Sequence, residues 1–351
     1  MTADELVKLI DSGEPVHKIS LANASLAGCD LLGGVFDSVD CSGADLRGAK
    51  LPSAAFSRSN LSNANLEGAD LTGTVFVECD MSGVRLTGAH ADKARFIKTR
   101  LAEAQCTNTP LVHVAVVECD LTRAALAGAQ IDQTSIVKCI TDYVDLSGTA
   151  WNRAAFLNAD LRTAKLEGAQ FSRTTLIDAN CSGRPLPAFG FATCALNGAD
   201  FTGCDLTGAD FTQCMLIGAK LPNARLVGAK FPRAVLSNAI LTRVDLSGAD
   251  LSQAILLQAD ATGANFARAL LFQCTATGMN ATEATFDGAD LTYADFSHAI
   301  LDRAALRGVT LHRTNLHAIS DQEAVFPSRA GALPADPDRH AAETWHERRR
   351  G

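Results

Sequence analysis

Eleven cysteines and eight histidines are the residues of this 351-residue chain best suited to chemistry. Thiolates and imidazoles together build metal sites, and a cysteine beside a histidine builds a nucleophile. Their spacing favours neither. His17, His90, His113, His298, His312, His317, His340 and His346 contain no HExxH or comparable ligand spacing. His312 and His317 are the pair nearest in sequence, and surface positions are expected for both. No GxxxxGK[ST] phosphate loop and no GxSxG nucleophile elbow occurs. The sequence therefore assigns no catalytic residue, no metal ligand and no cofactor, and a non-enzymatic protein is expected.

The elements that carry these residues follow one rule. From residue 21 to 316, every fifth position is large and apolar, starting with Leu21, Leu26, Leu31 and Phe36. Only Cys41, Ala91, Cys106, Thr141, Cys181, Ala261, Ala276 and Ala281 depart from it, and the frame never shifts. Two residues before each slot the side chain is small, except at Ile19, Arg184, Phe189 and Met279. A period of five is neither a helix nor a flat strand, so the chain must turn a corner every five residues. Small and large residues two apart share the inner side of an extended stretch. The Asp, Asn, Ser, Thr and Gly between them supply turn chemistry. Phe36, Phe56, Phe76 and Phe96 recur at twenty, as do Phe171, Phe191, Phe211 and Phe231. Twenty residues are four pentapeptides, which predicts a four-sided coil with phenylalanines stacked turn upon turn.

Copies such as Ala44-Asp45-Leu46-Arg47-Gly48, Ala69-Asp70-Leu71-Thr72-Gly73 and Ala199-Asp200-Phe201-Thr202-Gly203 resemble the pentapeptide-repeat protein family. The resemblance covers residues 16 to about 319. It implies an all-β solenoid of the right-handed quadrilateral β-helix type, and the period gives it about 15 four-sided coils. The handedness comes only from the resemblance. Some family members accompany bacterial secretion systems, type VI among them. Others resemble B-DNA in shape and charge and protect or inhibit DNA gyrase.

The cysteines can now be placed. Cys29, Cys79, Cys119, Cys139, Cys194, Cys204, Cys214 and Cys274 occupy small inner slots, and Cys41, Cys106 and Cys181 occupy large ones. They are expected to be reduced, buried small hydrophobes, which fits a cytoplasmic protein.

Domain limits are expected as follows. Residues 1–15 form an N-terminal capping helix, signalled by the capping box Thr2-Ala3-Asp4-Glu5 and stopped by Gly13. Residues 16–319 form the β-helix, with a structural seam near 156–190. There the Phe column changes side, and Arg184, Phe189 and the prolines 185 and 187 strain the pattern, so a bulge or outward loop is expected. Residues 320–351 are a polar, flexible tail that ends in Arg348-Arg349-Arg350.

Composition bounds the function. The chain is 47% apolar with a formal net charge of −8, which excludes wholesale disorder. A mean hydropathy of +0.08, without an apolar run of about 18 residues, argues against a membrane-spanning helix. The acidic amphipathic start, Met1 to Leu9, is not a secretory signal, so any export would use a signal-peptide-independent secretion system. Mild acidity with interspersed Lys and Arg argues against direct nucleic-acid binding and weakens the DNA-mimic alternative.

Because the interior is filled by its own side chains, function is expected on the outer faces. One side differs from the other three. It presents Val75, Met215, Val235 and Ile255 before the large slot, and Val77, Ile97, Val117, Val137, Leu157, Ile177, Ile217 and Leu257 after it. A contiguous apolar stripe marks a contact surface. The expected partner is another protein or a second copy of the chain in a homodimer. Glu78, Lys98, Glu118 and Lys138 alternate in sign beside the stripe. A column of Asp at residues 40, 80, 120, 160, 200 and 260 is expected to serve corner hydrogen bonding.

Overall fold

The computed structural model describes residues 1–326, 328–334, 337 and 343. It divides into two compact units, Met1–Asn180 and Cys181–Gly351, each taken by itself below.

The first unit opens with helix α1, Ala3–Asp11. Its N-terminus is a complete capping box: Thr2 Oγ1 accepts from the Glu5 N–H, and Glu5 Oε2 accepts from the Thr2 N–H. Leu6 is its buried residue, and Gly13 closes the helix by donating to the Ile10 carbonyl. Strands β1 (Val16–His17), β2 (Val35–Asp37), β3 (Ala55–Ser57), β4 (Val75–Val77) and β5 (Arg95–Ile97) follow at intervals of one turn. Then two strands alternate per turn: β6 (Pro110–Val112), β7 (Ala115–Val117), β8 (Gln130–Asp132), β9 (Ser135–Val137), β10 (Ala150–Asn152), β11 (Ala155–Leu157) and β12 (Gln170–Ser172). All pair in parallel, residue n with residue n + 20, as in Phe36↔Phe56↔Phe76↔Phe96. One sheet has eight strands, β1-β2-β3-β4-β5-β7-β9-β11, and a second has four, β12-β10-β8-β6.

A single pentapeptide shows why the chain adopts this path. Cys41 N–H and Gly43 N–H donate to the next turn, at Asn60 O and Ser62 O, while Asp45 N–H donates to the previous turn, at Ala24 O. Ala44 N–H closes the corner onto Cys41 O, and the remaining donor, Ser42 N–H, is taken by Asp40 Oδ1 at 3.1 Å. Every backbone donor is satisfied, as a buried solenoid wall demands. The same carboxylate-to-corner bond recurs at Asp80, Asp200 and Asp260, so the acidic column serves its turns. The residue two after nearly every slot is left-handed, with φ of 64° at Gly43 and 56° at Asn63, which favours Gly and Asn there.

The inner lattice is filled as the period predicts. Phe36–Phe56, Phe56–Phe76 and Phe76–Phe96 stack with ring centroids 4.2, 5.2 and 5.1 Å apart. Trp151 stacks on Phe156, and its indole N–H donates to Thr149 Oγ1. An apolar cavity of about 40 Å³ lies where Ala91 and Cys106 stand in large slots.

In the second unit the turns are joined by isolated one-residue bridges, from Pro185↔Asp205 to Ala305↔Val325. Phe191–Phe211 and Phe211–Phe231 stack there at 5.2 and 4.8 Å. The buried Met279, large in a small slot, has Ala276 and Ala281 in the adjoining large slots, a local exchange of volume.

Three expectations are corrected. The count of about 15 coils is not supported: the longest β-sheet has eight strands, about eight turns, and the second unit is joined by isolated bridges instead of strands. The stretch around Arg184 and Phe189 forms no outward loop. Arg184 O and Phe189 O accept from Asp205 and Asp210 in regular register, both side chains being half-buried. Pro187 costs little because it stands, like Pro52, Pro222 and Pro232, at the position whose N–H otherwise reaches only an Asp or Asn side chain. Finally, the register runs past residue 319, to Ser320 and Val325, and Gly331 O and Leu333 N–H pair with Arg313 and Thr314. The remainder of the expected flexible tail, at 327, 335–336, 338–342 and 344–351, lies outside the described residues.

Candidate interaction face and a histidine cluster

The apolar face is a product of strand alternation. On β4 the central Phe76 points inward, and Val75 and Val77 flank it on the outside. Parallel pairing without a register shift then sets Val77 beside Ile97, Ile97 beside Val117, Val117 beside Val137, and Val137 beside Leu157. This column of five apolar residues is unbroken across β4, β5, β7, β9 and β11. Each is half-buried, because its neighbours in the column cover part of it. The column before the slot is mixed, running Val75, Arg95, Ala115, Ser135 and Ala155. Ile177 also lies half-exposed in this unit.

In the second unit Met215 bridges Val235 and Val235 bridges Ile255. Met215, Ile217, Ile255 and Leu257 are exposed, Met215 by 45%. The structure thus brings the candidate residues together as one column in the first unit and a smaller patch in the second. Ile140, Ile240, Leu270 and Ile300 are also exposed, but each bridges polar or charged neighbours, such as Asp120↔Ile140 and Ile240↔Asp260. Scattered apolar residues of that kind carry no message.

Charge around the faces is paired locally. Arg58 Nη2 lies 2.5 Å from Asp37, Arg85 Nη2 2.7 Å from Glu67, and Arg303 Nη2 2.8 Å from Glu283. The hydrogen bond from Arg58, with a second from Ser57, holds the Asp37 carboxyl down at about 2. Arg47 does the same for Asp45. Glu78, Lys98, Glu118 and Lys138 occupy successive left-handed corners beside the apolar column.

All eleven cysteines are free thiols. Ten are buried, and Cys29 is half-exposed. Burial pushes the Cys41 and Cys214 thiols up to about 12, the opposite of what a nucleophile or metal ligand needs.

One cluster escaped the sequence reading. His317 Nε2 lies 2.9 Å from Glu343 Oε2, and His298 Nε2 lies 3.4 Å from the same oxygen. The imidazole rings are 5.6 Å apart and nearly perpendicular, at 84°. His298 N–H donates to His317 O across adjacent turns. His312, paired with His317 in the sequence reading, instead packs edge-on against Tyr293. Register explains the difference: a corner residue lies beside the residue nineteen further on, a relation readable from the repeat. The position of Glu343, beyond the repeat, is not.

No helix among the described residues is long and apolar enough to cross a membrane. No curated protein matches the chain. Among solved structures it is similar to HetL, a pentapeptide repeat protein involved in heterocyst differentiation regulation from the cyanobacterium Nostoc sp. strain PCC 7120. That match has 21% identity and a TM-score of 0.17, and covers 95% of this chain and 100% of that one. It is also similar to QnrB1, a plasmid-mediated fluoroquinolone resistance protein, at 22% identity with a TM-score of 0.27, covering 68% and 96%. A pentapeptide repeat protein from the Arabidopsis thaliana thylakoid lumen matches 32% of this chain and 67% of its own length, at 29% identity and a TM-score of 0.20. The family model for pentapeptide repeats matches in eight copies, within residues 18–114, 142–178 and 194–318. With more than half of its residues matched to the repeat, the chain belongs to the pentapeptide-repeat family.

Proposed function

We propose that this chain is a non-enzymatic interaction or scaffold protein that docks through the apolar side of its solenoid, onto another protein or onto a second copy of itself. The observation that carries the reading is the unbroken column Val77, Ile97, Val117, Val137 and Leu157. β-branched residues suit any ladder, but that preference alone would not gather them on one side of the coil. Val75, Ile177, Met215, Ile217, Val235, Ile255 and Leu257 extend the surface within their own units. Buried, free thiols support a cytoplasmic setting. The division of the chain at Asn180/Cys181 supports a seam within residues 156–190. A right-handed sense and service with a type VI-like secretion system, as accessory or effector, extend the reading along the family resemblance.

The test compares the intact protein with a variant carrying Val77, Val117, Val137 and Leu157 as Lys. Loss of a co-purifying partner, or of a dimer in sedimentation, supports the face. Unchanged partners together with an unchanged oligomeric state sink it. The gyrase-directed alternative ranks lower because one face column interleaves its charges, as Asp80↔Arg100↔Asp120, and its carboxylates serve the corners. Clear inhibition in a gyrase supercoiling assay would reverse that order.

A further inference from the structure

Among the described residues, one group of three His, Cys, Asp or Glu side chains converges on a point: His298, His317 and Glu343. We propose that these three residues form a binding site for a first-row divalent cation of the Zn²⁺ class, which ties the C-terminal segment to the last turns of the solenoid.

The donor set is the first argument. Two neutral imidazoles and one carboxylate suit Zn²⁺ and its neighbours, and they leave further coordination positions for water. Distances are the second. Zinc–nitrogen and zinc–oxygen bonds near 2.0–2.1 Å put tetrahedral ligand atoms about 3.4 Å apart. Here one pair stands at 3.4 Å, another at 2.9 Å, and all three ligand atoms lie within 4.8 Å of one another. Small side-chain rotations would seat an ion. Orientation is the third. The rings meet edge to face instead of stacking, and both Nε2 atoms stand within 3.4 Å of Glu343 Oε2, His317 Nε2 in hydrogen-bond geometry. A cation would take the place of the hydrogen bond between His317 Nε2 and the carboxylate. Each imidazole would bind it as the neutral ring, with Nε2 as the ligand atom and its one proton on Nδ1.

The supports differ in rigidity. His317 is only 7% exposed, and its backbone is fixed by the His298 N–H and by its own N–H bond to Asn315 Oδ1. His298 sits at a left-handed corner with φ of 61° and is open to solvent on one side, which provides an entry path. Glu343 comes from 26 residues beyond His317, outside the repeat. The ion would therefore join a fixed imidazole on the solenoid to a carboxylate on the segment that follows it.

The experiment uses tag-free, full-length protein stripped with chelator and titrated with Zn²⁺ by calorimetry, with Co²⁺ absorption as a second probe. The expected result is one equivalent bound, with tetrahedral Co²⁺ bands. Affinity should fall about tenfold or more in His298→Ala and in Glu343→Gln, with no change in the exposed-site control His90→Ala. His298 and Glu343 are chosen because both are partly exposed, and circular dichroism verifies that each variant is folded. Absence of stoichiometric Zn²⁺ binding by the wild type, or equal affinity in all three variants, overturns the proposal.

Discussion

Gly34 lies directly beneath Ile10 of α1. A β-carbon on residue 34 would fall 3.1 Å from Ile10 Cδ1 and 2.8 Å from Phe36 Cε2. The small slot that elsewhere takes Ala is here reduced to nothing so that the capping helix can seat on the first turn. Without that cap the first turn would expose both its core and its strand edge.

Gly34→Ala is therefore expected to destabilise the protein by about 1–3 kcal/mol, the usual cost of overpacking. The control is Gly190→Ala, where nothing lies within 4 Å and φ is not left-handed. That change should be neutral or stabilise by about 0.4–1 kcal/mol through the unfolded chain. Urea unfolding midpoints separate the two, and equal midpoints would refute the seating argument.

The apolar cavity beside Ala91 and Cys106 predicts the opposite sign. Filling about 40 Å³ is worth about 1 kcal/mol at ~24 cal/mol per Å³. Ala91→Val should raise the thermal midpoint, and Ala69→Val, in a fully buried small slot away from the cavity, should lower it. A drop in both would mean that the cavity is too narrow for a methyl group.

Acid sensitivity follows from Asp37. Its carboxyl ordinarily titrates near 3.8 and is held at about 2 by Arg58 and Ser57. A depressed folded-state value means that its contribution is fully present above about pH 4 and is lost as pH falls through 2. Between pH 5 and pH 2 the wild type should lose more stability than Asp37→Asn, measured by urea midpoints at each pH. Parallel pH profiles would contradict the assignment.

Thiol titration tests the core. With ten cysteines buried and Cys29 half-exposed, an aromatic disulfide reagent should react with one thiol in a fast phase. Cys29→Ser should remove that phase, and the remaining ten should react only on unfolding. Several fast thiols in the native protein would argue against the packed lattice.

The repeat made most of this architecture legible. Leu, Phe and Ala two apart define the inner face, and Phe36 to Phe96 at intervals of twenty give the number of sides. The apolar column was equally readable, because residue n always meets residue n + 20. What escaped were features set by contacts across the frame. Gly34 answers to a helix outside the repeat. The Arg184–Phe189 stretch looked too irregular to stay in register, yet its backbone carbonyls remain regular acceptors. The meeting of His298, His317 and Glu343 depends on where a segment beyond the repeat returns.

Pairing residue n with residue n + 20 also makes chain length a quantised quantity within each unit. Removing five residues would turn everything beyond the deletion onto the next side and scatter the apolar column. Removing twenty would take out one turn and leave every later face where it was. Such a protein can lengthen or shorten by whole turns while its docking side stays aligned, so the reach of the surface can vary independently of its chemistry.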